Sequence, residues 1–501
     1  PASPAAPAAA AAPAETVVVS TDVVRATFDS TGGTLVRLEL LAYRDPIDPQ
    51  RNVVLFDRNA RRVYLAQTGL ITGQAGVALP NHLSAMTVQP GERTLAAGAH
   101  SLSVRFESAA MDGVKLVKTY TFERGKYTVG VRHEVVNQGG ATVQPQLYLQ
   151  LARDAAPPEG ESSFYFTFTG PAIYTEASKF KKVDFKDIAK GSASHANSGN
   201  DGWVAMVQHY FTSAWLVNAP GQREFRTDKV AGTPETYTVA MVLPLGDVAP
   251  GSSKSHEAIL YAGPQEEHKL AALAPGLELV KDYGWFTVLA KPLFWLLEKL
   301  YQVIGNWGWA IVALVVLLKV GFYWLNASAY RSMAKMKAVA PRVTELRERY
   351  KDKPQQMQQE MMRIYREEKV NPLGGCLPIL VQMPFFIALY WVLLSSVEMR
   401  NGHWLYIADL AQPDRLFGTL PWLQMPIGPL PLLMTASSLF QVWLNPTPPD
   451  PVQAKMMWLM PLAFGFMFFF FPSGLVLYWL TNNLLSIAQQ WWINRQLGVN
   501  R

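Results

Sequence analysis

The sequence predicts a β-sandwich domain followed by an α-helical membrane domain, and three observations lead to this fold class. Residues before about 280 are polar and rich in Gly and Thr, with short segments that alternate apolar and polar side chains as half-buried strands do. Residues after 285 are crowded with Trp, Phe, Leu and Met, in stretches long enough to cross a bilayer as helices of about 20 residues. A long basic segment lies between the first two stretches. The 501 residues therefore divide into a β domain and a membrane domain of five spanning helices with a basic helical hairpin.

The chain begins with an Ala- and Pro-rich segment, residues 1–16, and its first residue is Pro1 rather than Met. This composition cannot build a hydrophobic core, so we expect a disordered, semi-rigid tether. Because a β domain outside the membrane needs an export signal or anchor, we expect a transmembrane helix upstream of Pro1. Residues 498–501 are expected to be the start of a truncated basic tail.

Residues 17–280 are expected to form a large β-sandwich of two stacked sheets. Strand-like segments are separated by turn signals at the spacing typical of sandwiches. One hairpin is predicted to pair Leu116–Phe122 with Tyr127–His133, across a turn that contains Gly125. A second pairing is predicted between residues 203–217 and 236–243.

The residue patterns of enzyme chemistry and of metal sites are missing from the sequence. The single cysteine, Cys376, excludes an intrachain disulfide and a cysteine-cluster metal site. His133-Glu134 and His256-Glu257 lack the second histidine of an H-E-x-x-H zinc site, and no G-x-x-x-x-G-K-[ST] phosphate-binding loop occurs. The sequence therefore predicts a protein that is not an enzyme, needs no cofactor or metal, and has no DNA partner.

The membrane half begins with an interfacial segment. A linker helix at 265–273 is predicted to lead from the β domain to residues 281–303, where charged residues alternate with Phe and Leu. Such an amphipathic helix suits the plane of the membrane interface. The five spanning helices are predicted within residues 304–497, at 306–326, 375–397, 420–444, 456–471 and 474–493.

The distribution of Lys and Arg predicts the orientation of these helices. Residues 330–370 are strongly basic and are predicted to form a helical hairpin that breaks before Pro354, whereas the loop 398–415 is near neutral. Since Lys and Arg are in excess on the cytoplasmic side, the hairpin and the C-terminus face inward and the β domain lies outside. The methionine-bearing faces of the hairpin fit packing against each other and also re-packing against partners. Its residues expected to recruit partners are Arg331, Lys335, Lys337, Arg347, Arg349, Met357, Met361, Arg363 and Arg366.

One charge, Lys319, interrupts the first predicted span. An ammonium at mid-depth costs about 2.5 kcal/mol or more unless water or an anion receives it. Lys319 is only five residues from Trp324, so its spacing fits snorkelling to the headgroups and a functional role equally well. Polar residues in neighbouring spans, including Gln382 and Asn482, favour a hydrated cavity as the receiver of the charge.

Several short motifs follow one another from Asn306 onward: Asn306-Trp-Gly308, Ser332-Met-Ala-Lys-Met336, Val370-Asn-Pro-Leu-Gly-Gly-Cys376, Gln382-Met-Pro384 and Phe471-Pro-Ser-Gly-Leu-Val-Leu-Tyr478. With them the sequence resembles the YidC membrane insertases of Gram-negative bacteria, relatives of the mitochondrial Oxa and chloroplast Albino proteins. The β domain is similar to the family's periplasmic β-supersandwich, so the resemblance covers essentially the whole chain.

The resemblance implies an insertase and chaperone that uses no nucleotide of its own. It would take nascent hydrophobic segments into a hydrated, positively charged groove and release them laterally into the inner membrane, independently of the Sec translocon or together with it. Lys319 matches the groove cation, which is usually arginine in the bacterial family, so the charge is kept while the bidentate fork is lost. The residues implied for the groove are Lys319, Gln382, Phe386, Ser437, Gln441, Tyr478, Trp479 and Asn482.

The resemblance also implies partners and a location. The partners are nascent membrane proteins, the Sec translocon and its accessory subunits, the ribosome, the signal-recognition-particle receptor and membrane lipids. The location is the bacterial inner membrane, as a multi-pass protein with a periplasmic β domain. Two other classes remain open. A membrane transporter would place polar groups at mid-membrane but should show inverted repeats, and a membrane-anchored carbohydrate-binding protein would explain a sandwich that resembles sugar-mutarotase folds.

Overall fold

The structure of the chain is a computed structural model that describes residues 15–161, 165, 167–231, 234–368, 377–445 and 451–496. The described residues form two compact units that divide between Lys281 and Asp282, with Tyr165 in the second unit. The predictions for the tether up to residue 14, for the motif 370–376 with Cys376, and for the tail 498–501 lie outside the described residues.

The first unit is built mainly of strands, with two short helices. The strands are β1 (Thr16–Ser20), β2 (Val24–Asp29), β3 (Thr34–Arg44), β4 (Asn52–Arg58), β5 (Val63–Ile71), β6 (Met86–Val88), β7 (Ser101–Ser108), β8 (Val114–Glu123), β9 (Thr128–Asn137), β10 (Gln146–Asp154), β11 (Gly170–Thr175), β12 (Lys179–Lys182), β13 (Ser198–Gly199), β14 (Trp203–Val207), β15 (Phe211–Leu216), β16 (Arg223–Val230), β17 (Thr236–Pro244) and β18 (Ser253–Pro264). The helices are α1 (Phe185–Ala189) and α2 (Glu267–Leu273).

These strands form two nine-stranded antiparallel sheets. The first sheet has the order β1-β2-β3-β4-β5-β10-β17-β16-β13, and the second has the order β12-β11-β14-β15-β18-β9-β8-β7-β6. The sheets face each other, since Trp215 Nε1 of the second donates to Gln150 O of the first at 3.1 Å. Tyr64 and Ser213 make a further contact, with 2.6 Å between their hydroxyl oxygens. The predicted fold of two sheets followed by a helical region is therefore confirmed.

One predicted pairing is present and the other is wrong. β8 pairs with β9 in the expected hairpin, with Leu116 opposite Val135. Residues 203–217, however, form their own hairpin, β14 with β15, while β17 pairs with β10 and β16 in the opposite sheet. β14 and β15 are buried on both faces and so lack the apolar–polar alternation of a half-buried strand, which leaves no pattern to indicate the partner.

Lys118 is a fully buried cation that connects the two sheets. It lies on β8, and its Nζ donates to Gly32 O at 2.6 Å and to Thr68 O of β5 at 2.7 Å. Both acceptors are neutral, so burial without a compensating carboxylate lowers the pKa of Lys118 to about 7. The folded domain therefore releases this proton at a much lower pH than the unfolded chain, whose lysines titrate near pH 10.4.

This difference predicts a pH dependence of stability. Between pH 7 and about 10.4 the unfolded chain binds a proton at Lys118 that the folded chain does not, so the free energy of unfolding should rise with pH. From pH 7.5 to 9.5 the rise relative to Lys118→Met should reach about 2 kcal/mol, measured by urea unfolding of the β domain in the full chain. Lys115→Met, on the same strand, should follow the wild-type pH profile. Parallel profiles for wild type and Lys118→Met would contradict the burial argument.

The second unit is helical. Its helices are α3 (Thr287–Ile304), α4 (Trp307–Gly321), α5 (Tyr323–Arg349), α6 (Pro354–Glu367), α7 (Leu377–Ser395), α8 (Pro429–Leu444), α9 (Pro451–Phe468) and α10 (Ser473–Gln496), and a short hairpin joins β19 (Thr419–Leu420) to β20 (Met425–Pro426). Its core includes Leu297 of α3, Ile311 of α4, Leu389 of α7, Met434 of α8 and Leu475 of α10. Within the described residues, α4 and α5 together have the length and apolar character of a membrane span, bent by 69°, and no helix has both alone.

Two predicted helix boundaries differ from the structure. The first apolar helix ends at Gly321 and the chain bends at Phe322, so residues 323–326 form the start of α5, which continues to Arg349. The predicted span 420–444 begins only at Pro429, because Pro421 and Pro426 disfavour a helix and residues 419–426 form the β19–β20 hairpin instead. Asp414 Oδ2 accepts from Leu430 N at 2.9 Å and satisfies a free donor at the start of α8.

Candidate functional site

The position of Lys319 is fixed by the two ends of α4. Gly305 ends α3 in the left-handed conformation, with φ 74°, and Asn306 then caps α4, its side chain accepting from Trp309 N at 3.1 Å. From this start Lys319 falls in the last turn of α4, immediately before the bend at Phe322. Its side chain is half-buried.

The amine of Lys319 points to α10. Nζ donates to the Ser486 hydroxyl at 2.7 Å, and the Ser486 hydroxyl donates in turn to Asn482 O, one helical turn earlier, at 2.8 Å. Ser486 is buried, with 4% of its surface exposed. Among the described residues no carboxylate lies within ion-pair distance of this amine. Within these residues the ammonium is not paired with a carboxylate, and it has donors beyond the one that bonds to Ser486.

A polar stripe runs along α10 around this contact. Asn483 Nδ2 donates to Ser438 Oγ at 3.0 Å and to Ser437 Oγ at 3.3 Å, which connects α10 to α8. Gln490 Nε2 donates to Asn445 Oδ1 at 3.0 Å, while its buried Oε1 has no partner within the described residues. Asn482, Ser486 and Gln490 recur every fourth residue, so they share one face of α10.

The structure brings only some of the predicted groove residues to this stripe. Asn482 lies on it, and Ser437 joins it through Asn483. Gln382 and Gln441 are half-buried, and no hydrogen bond of their side chains is found in the described part of the chain. Ser486 and Gln490 were missed by the sequence interpretation, although the four-residue spacing of polar side chains in an apolar helix could have revealed both.

The predicted aromatic residues lie apart, in an apolar cluster. Tyr478 is buried and packs against Phe386, with 5.9 Å between ring centroids. Trp479 packs against Phe468 at 4.9 Å and Phe471 at 5.7 Å. These aromatic rings fill the space between α7, α9 and α10 with apolar side chains. The apolar cluster and the polar stripe therefore occupy successive turns of α10.

The basic segment folds into two helices that pack on each other. Val339 and Val343 of α5 contact Met361, Ile364 and Tyr365 of α6. Within this pair, Met361 and the half-buried Met357 lie at or near the contact face. Among the residues predicted to recruit partners, those with exposed basic side chains are Arg331, Lys335, Arg349, Arg363 and Arg366.

Three of the predicted recruitment residues make contacts within the unit. Lys337 Nζ donates to Leu444 O, at the end of α8, at 3.3 Å. Arg366 Nε donates to Met362 O, one turn earlier, at 3.4 Å, whereas Arg347 is half-buried and its Nε has no partner within the described residues. Arg363 pairs with Glu367 at 2.9 Å on its own exposed helix, where water and salt screen such a pair.

The histidines and carboxylates of the described residues form no group of three or more that could hold a metal ion. His133, which precedes Glu134 in the sequence, is fully buried, and its Nε2 lies 2.9 Å from Thr68 Oγ1. It is therefore part of the interior of the sandwich, where it contacts the strand that also receives Lys118.

Comparisons with known proteins cover both units. A family model described as the YidC periplasmic domain matches residues 16–296, and one described as the 60Kd inner membrane protein matches residues 299–500. The membrane protein insertase YidC of Janthinobacterium sp. (strain Marseille) is 53% identical, over 97% of this chain and 85% of its own length. That of Cupriavidus necator is 56% identical, over 100% of this chain and 86% of its own length. Both are named as insertases and not as enzymes.

A solved structure described as an active YidC insertase with its first transmembrane domain resolved is 19% identical to this chain. The match covers 96% of this chain and 94% of the other, with a TM-score of 0.41. The two family models and the relatives of 53% and 56% identity confirm the resemblance found in the sequence. The chain belongs to the YidC family of membrane protein insertases.

Proposed function

We propose that the chain is a membrane protein insertase of the bacterial inner membrane. It takes nascent hydrophobic segments into a hydrated, positively charged groove and releases them laterally into lipid, independently of the Sec translocon or together with it. The names of the relatives support the general function. The observation that carries the mechanism is the half-buried ammonium of Lys319, held between α4 and α10 by a neutral hydroxyl.

The charge of Lys319 is the reason to expect water in the groove. An ammonium inside the hydrocarbon layer costs about 2.5 kcal/mol or more when it is neither hydrated nor paired. Its partner is a neutral serine, so the rest of this cost has to be met by water or by a polar group of a substrate. The polar, often acidic, tail of a nascent protein supplies such a group, and a hydrated groove shortens the apolar layer that this tail must cross.

The apolar part of the substrate follows a different surface. Phe464 and Phe466 are about half exposed on α9, at 47% and 46%, and Leu462 is 52% exposed. A substrate helix with a polar tail and an apolar body fits a polar stripe beside such a face. Phe386, Tyr478 and Trp479 act in this proposal as the wall that separates the two surfaces.

The orientation follows from the distribution of basic residues. In this proposal α4, α7, α8, α9 and α10 are the five spans, α3 lies along the interface, and the β domain of residues 17–280 is periplasmic. The Ala- and Pro-rich residues before β1 are the tether of the β domain, and the C-terminus is cytoplasmic. The α5–α6 hairpin lies in the cytoplasm, where its exposed Arg and Lys recruit the ribosome, the signal-recognition-particle receptor and anionic lipids. The Sec translocon and its accessory subunits are partners when insertion is shared.

The two alternative classes are less well supported. A transporter and a carbohydrate-binding protein both differ from the function for which the relatives are named. A carbohydrate-binding protein would also leave the cation between α4 and α10 without a role.

Replacing Lys319 tests the groove mechanism. Lys319→Leu should lower insertion of a Sec-independent substrate with an acidic tail at least about tenfold, because the uncompensated tail meets a barrier of about 2.5 kcal/mol or more. Lys319→Arg, which keeps the charge, should insert normally. Insertion is measured by protease protection of the substrate in cells depleted of the native insertase. Lys455→Leu, on the exposed face of α9, is the matched control, and wild-type insertion by Lys319→Leu would refute the mechanism.

Reversing charge on the hairpin tests recruitment. The variant that combines Arg331→Glu, Lys335→Glu and Arg349→Glu should bind ribosomes at least about tenfold more weakly, because basic contacts to RNA phosphates supply most of such affinity. Cosedimentation of the purified chain with ribosomes measures it, and the loss should diminish at high salt. The control reverses acidic residues of the same helix, Glu345→Lys with Glu348→Lys. Equal cosedimentation of all three proteins would count against the hairpin as a recruitment site.

Removing the β domain separates the insertase from the carbohydrate-binding alternative. A chain that lacks residues 17–264 keeps every helix of the groove, so it should still support growth of a depleted strain. A carbohydrate-binding protein would lose its function with the sandwich. Failure of a stably produced deletion variant to support growth would favour that alternative.

A further inference from the structure

The hydrogen bonds of Ser486 give this side chain a defined direction. A serine hydroxyl has one hydrogen to donate and two lone pairs that accept. Ser486 donates its hydrogen to Asn482 O at 2.8 Å, the backward bond that serines make inside helices. Its lone pairs are therefore the part that faces the Lys319 amine, 2.7 Å away. The hydroxyl is buried and oriented as an acceptor before any substrate arrives.

Lys319 depends on such an acceptor more than an arginine would. A lysine side chain is a point charge on a flexible four-carbon stem, and near the end of an apolar helix it can swing to the membrane surface. Lys319 is two residues from the end of α4 at Gly321 and close to the bend at Phe322. Conformers that direct its amine to the membrane surface are therefore available. The bond to Ser486 selects against them. Arginine, with five donors in a planar fork, can find acceptors in more than one direction.

A neutral acceptor suits the role of this site better than an acidic one. A carboxylate in place of Ser486 would pair with the ammonium and cancel its attraction for an acidic substrate. The serine accepts one hydrogen bond and leaves the charge and the remaining donors available. The contacts of Asn483 with Ser437 and Ser438 fix α10 against α8, so the acceptor is attached to a helix held on a second side.

We propose that Ser486 is a positioning residue that holds the Lys319 ammonium in the groove between α4 and α10, directed toward acidic segments of the substrate. This inference rests on the proposed insertase function and deepens it. Ser486 acts through Lys319, so its loss should weaken the preference for acidic substrates and leave the other steps of insertion in place.

The test uses the full-length chain and two substrates that are identical except for an acidic or a neutral tail. A hydrogen bond to a charged group contributes more free energy than one between neutral groups. Ser486→Ala should therefore lower insertion of the acidic substrate about fivefold or more. The neutral substrate should be inserted nearly as before, so the ratio of acidic to neutral insertion falls. Ser486→Thr keeps the hydroxyl and should restore the ratio. In the Lys319→Arg background, Ser486→Ala should change the ratio less.

Ser395→Ala is the matched control. Ser395 is buried and donates to Trp391 O, one turn earlier, at 2.7 Å, so it makes the same backward bond in α7. A purely structural role of Ser486 would reduce insertion of both substrates equally and leave the ratio unchanged, and that result would overturn the proposal.

If Ser486→Ala does not accumulate, the same ratio is measured for Ser486→Cys, whose thiol is a weaker acceptor of similar size. Should Lys319→Leu insert the acidic substrate normally, the proposed function itself fails. A defective Lys319→Leu beside an unchanged ratio in Ser486→Ala defeats only the inference about Ser486.

Discussion

The hydrogen bond between Lys319 and Ser486 is the contact on which the functional account of the helical unit depends. It places a positive charge between α4 and α10 at 2.7 Å from a neutral oxygen. A charge in an apolar helix has to be hydrated, paired or moved to the surface. In the proposed mechanism the serine prevents the third outcome without bringing about the second, which leaves hydration or a polar group of a substrate. Asn482 and Gln490 lie on the same face of α10 as Ser486, and Asn483 lies beside that face.

The β domain contains buried cations of a different kind. Lys118 donates hydrogen bonds to the carbonyls of Gly32 and Thr68. Arg223 donates to the carbonyls of Gly202 and Ala219, each at 2.6 Å. These cations connect segments of the fold through backbone carbonyls. A buried lysine is thus a structural device in one unit and a candidate site in the other. The difference is the number of acceptors the fold supplies.

The sequence predicts those features that depend on local pattern. Leu116–Phe122 and its partner strand alternate apolar and polar residues around a tight turn, so their pairing could be foreseen. β14, β15 and β17 are buried almost throughout, and only tertiary packing assigns β17 to the opposite sheet. Lys319 was identified because a charge in an apolar stretch is conspicuous. Ser486 was missed because a serine in such a helix is ordinary, and its role depends on α4 and α10, 167 positions apart, lying side by side.

The environment of the aromatic residues, too, could not be predicted from the local sequence pattern. Tyr478 is on the face of α10 that carries Asn482 and Ser486, yet it is buried against Phe386. The helical spacing predicts a shared face. The neighbouring helices decide where along that face polar contacts end and packed aromatic rings begin. The predicted start of α8 failed for a local reason, the prolines at 421 and 426.

The most direct test of the account is whether water reaches the polar stripe of α10. In a chain with Cys376→Ser, a cysteine at Asn482 can react with a membrane-impermeant maleimide only where water lets its thiol ionise. In inverted membrane vesicles, Asn482→Cys should be labelled at a rate close to that of Arg349→Cys on the exposed hairpin. Labelling as slow as that of Leu462→Cys, on the apolar face of α9, would mean that the stripe is dry and would contradict the account.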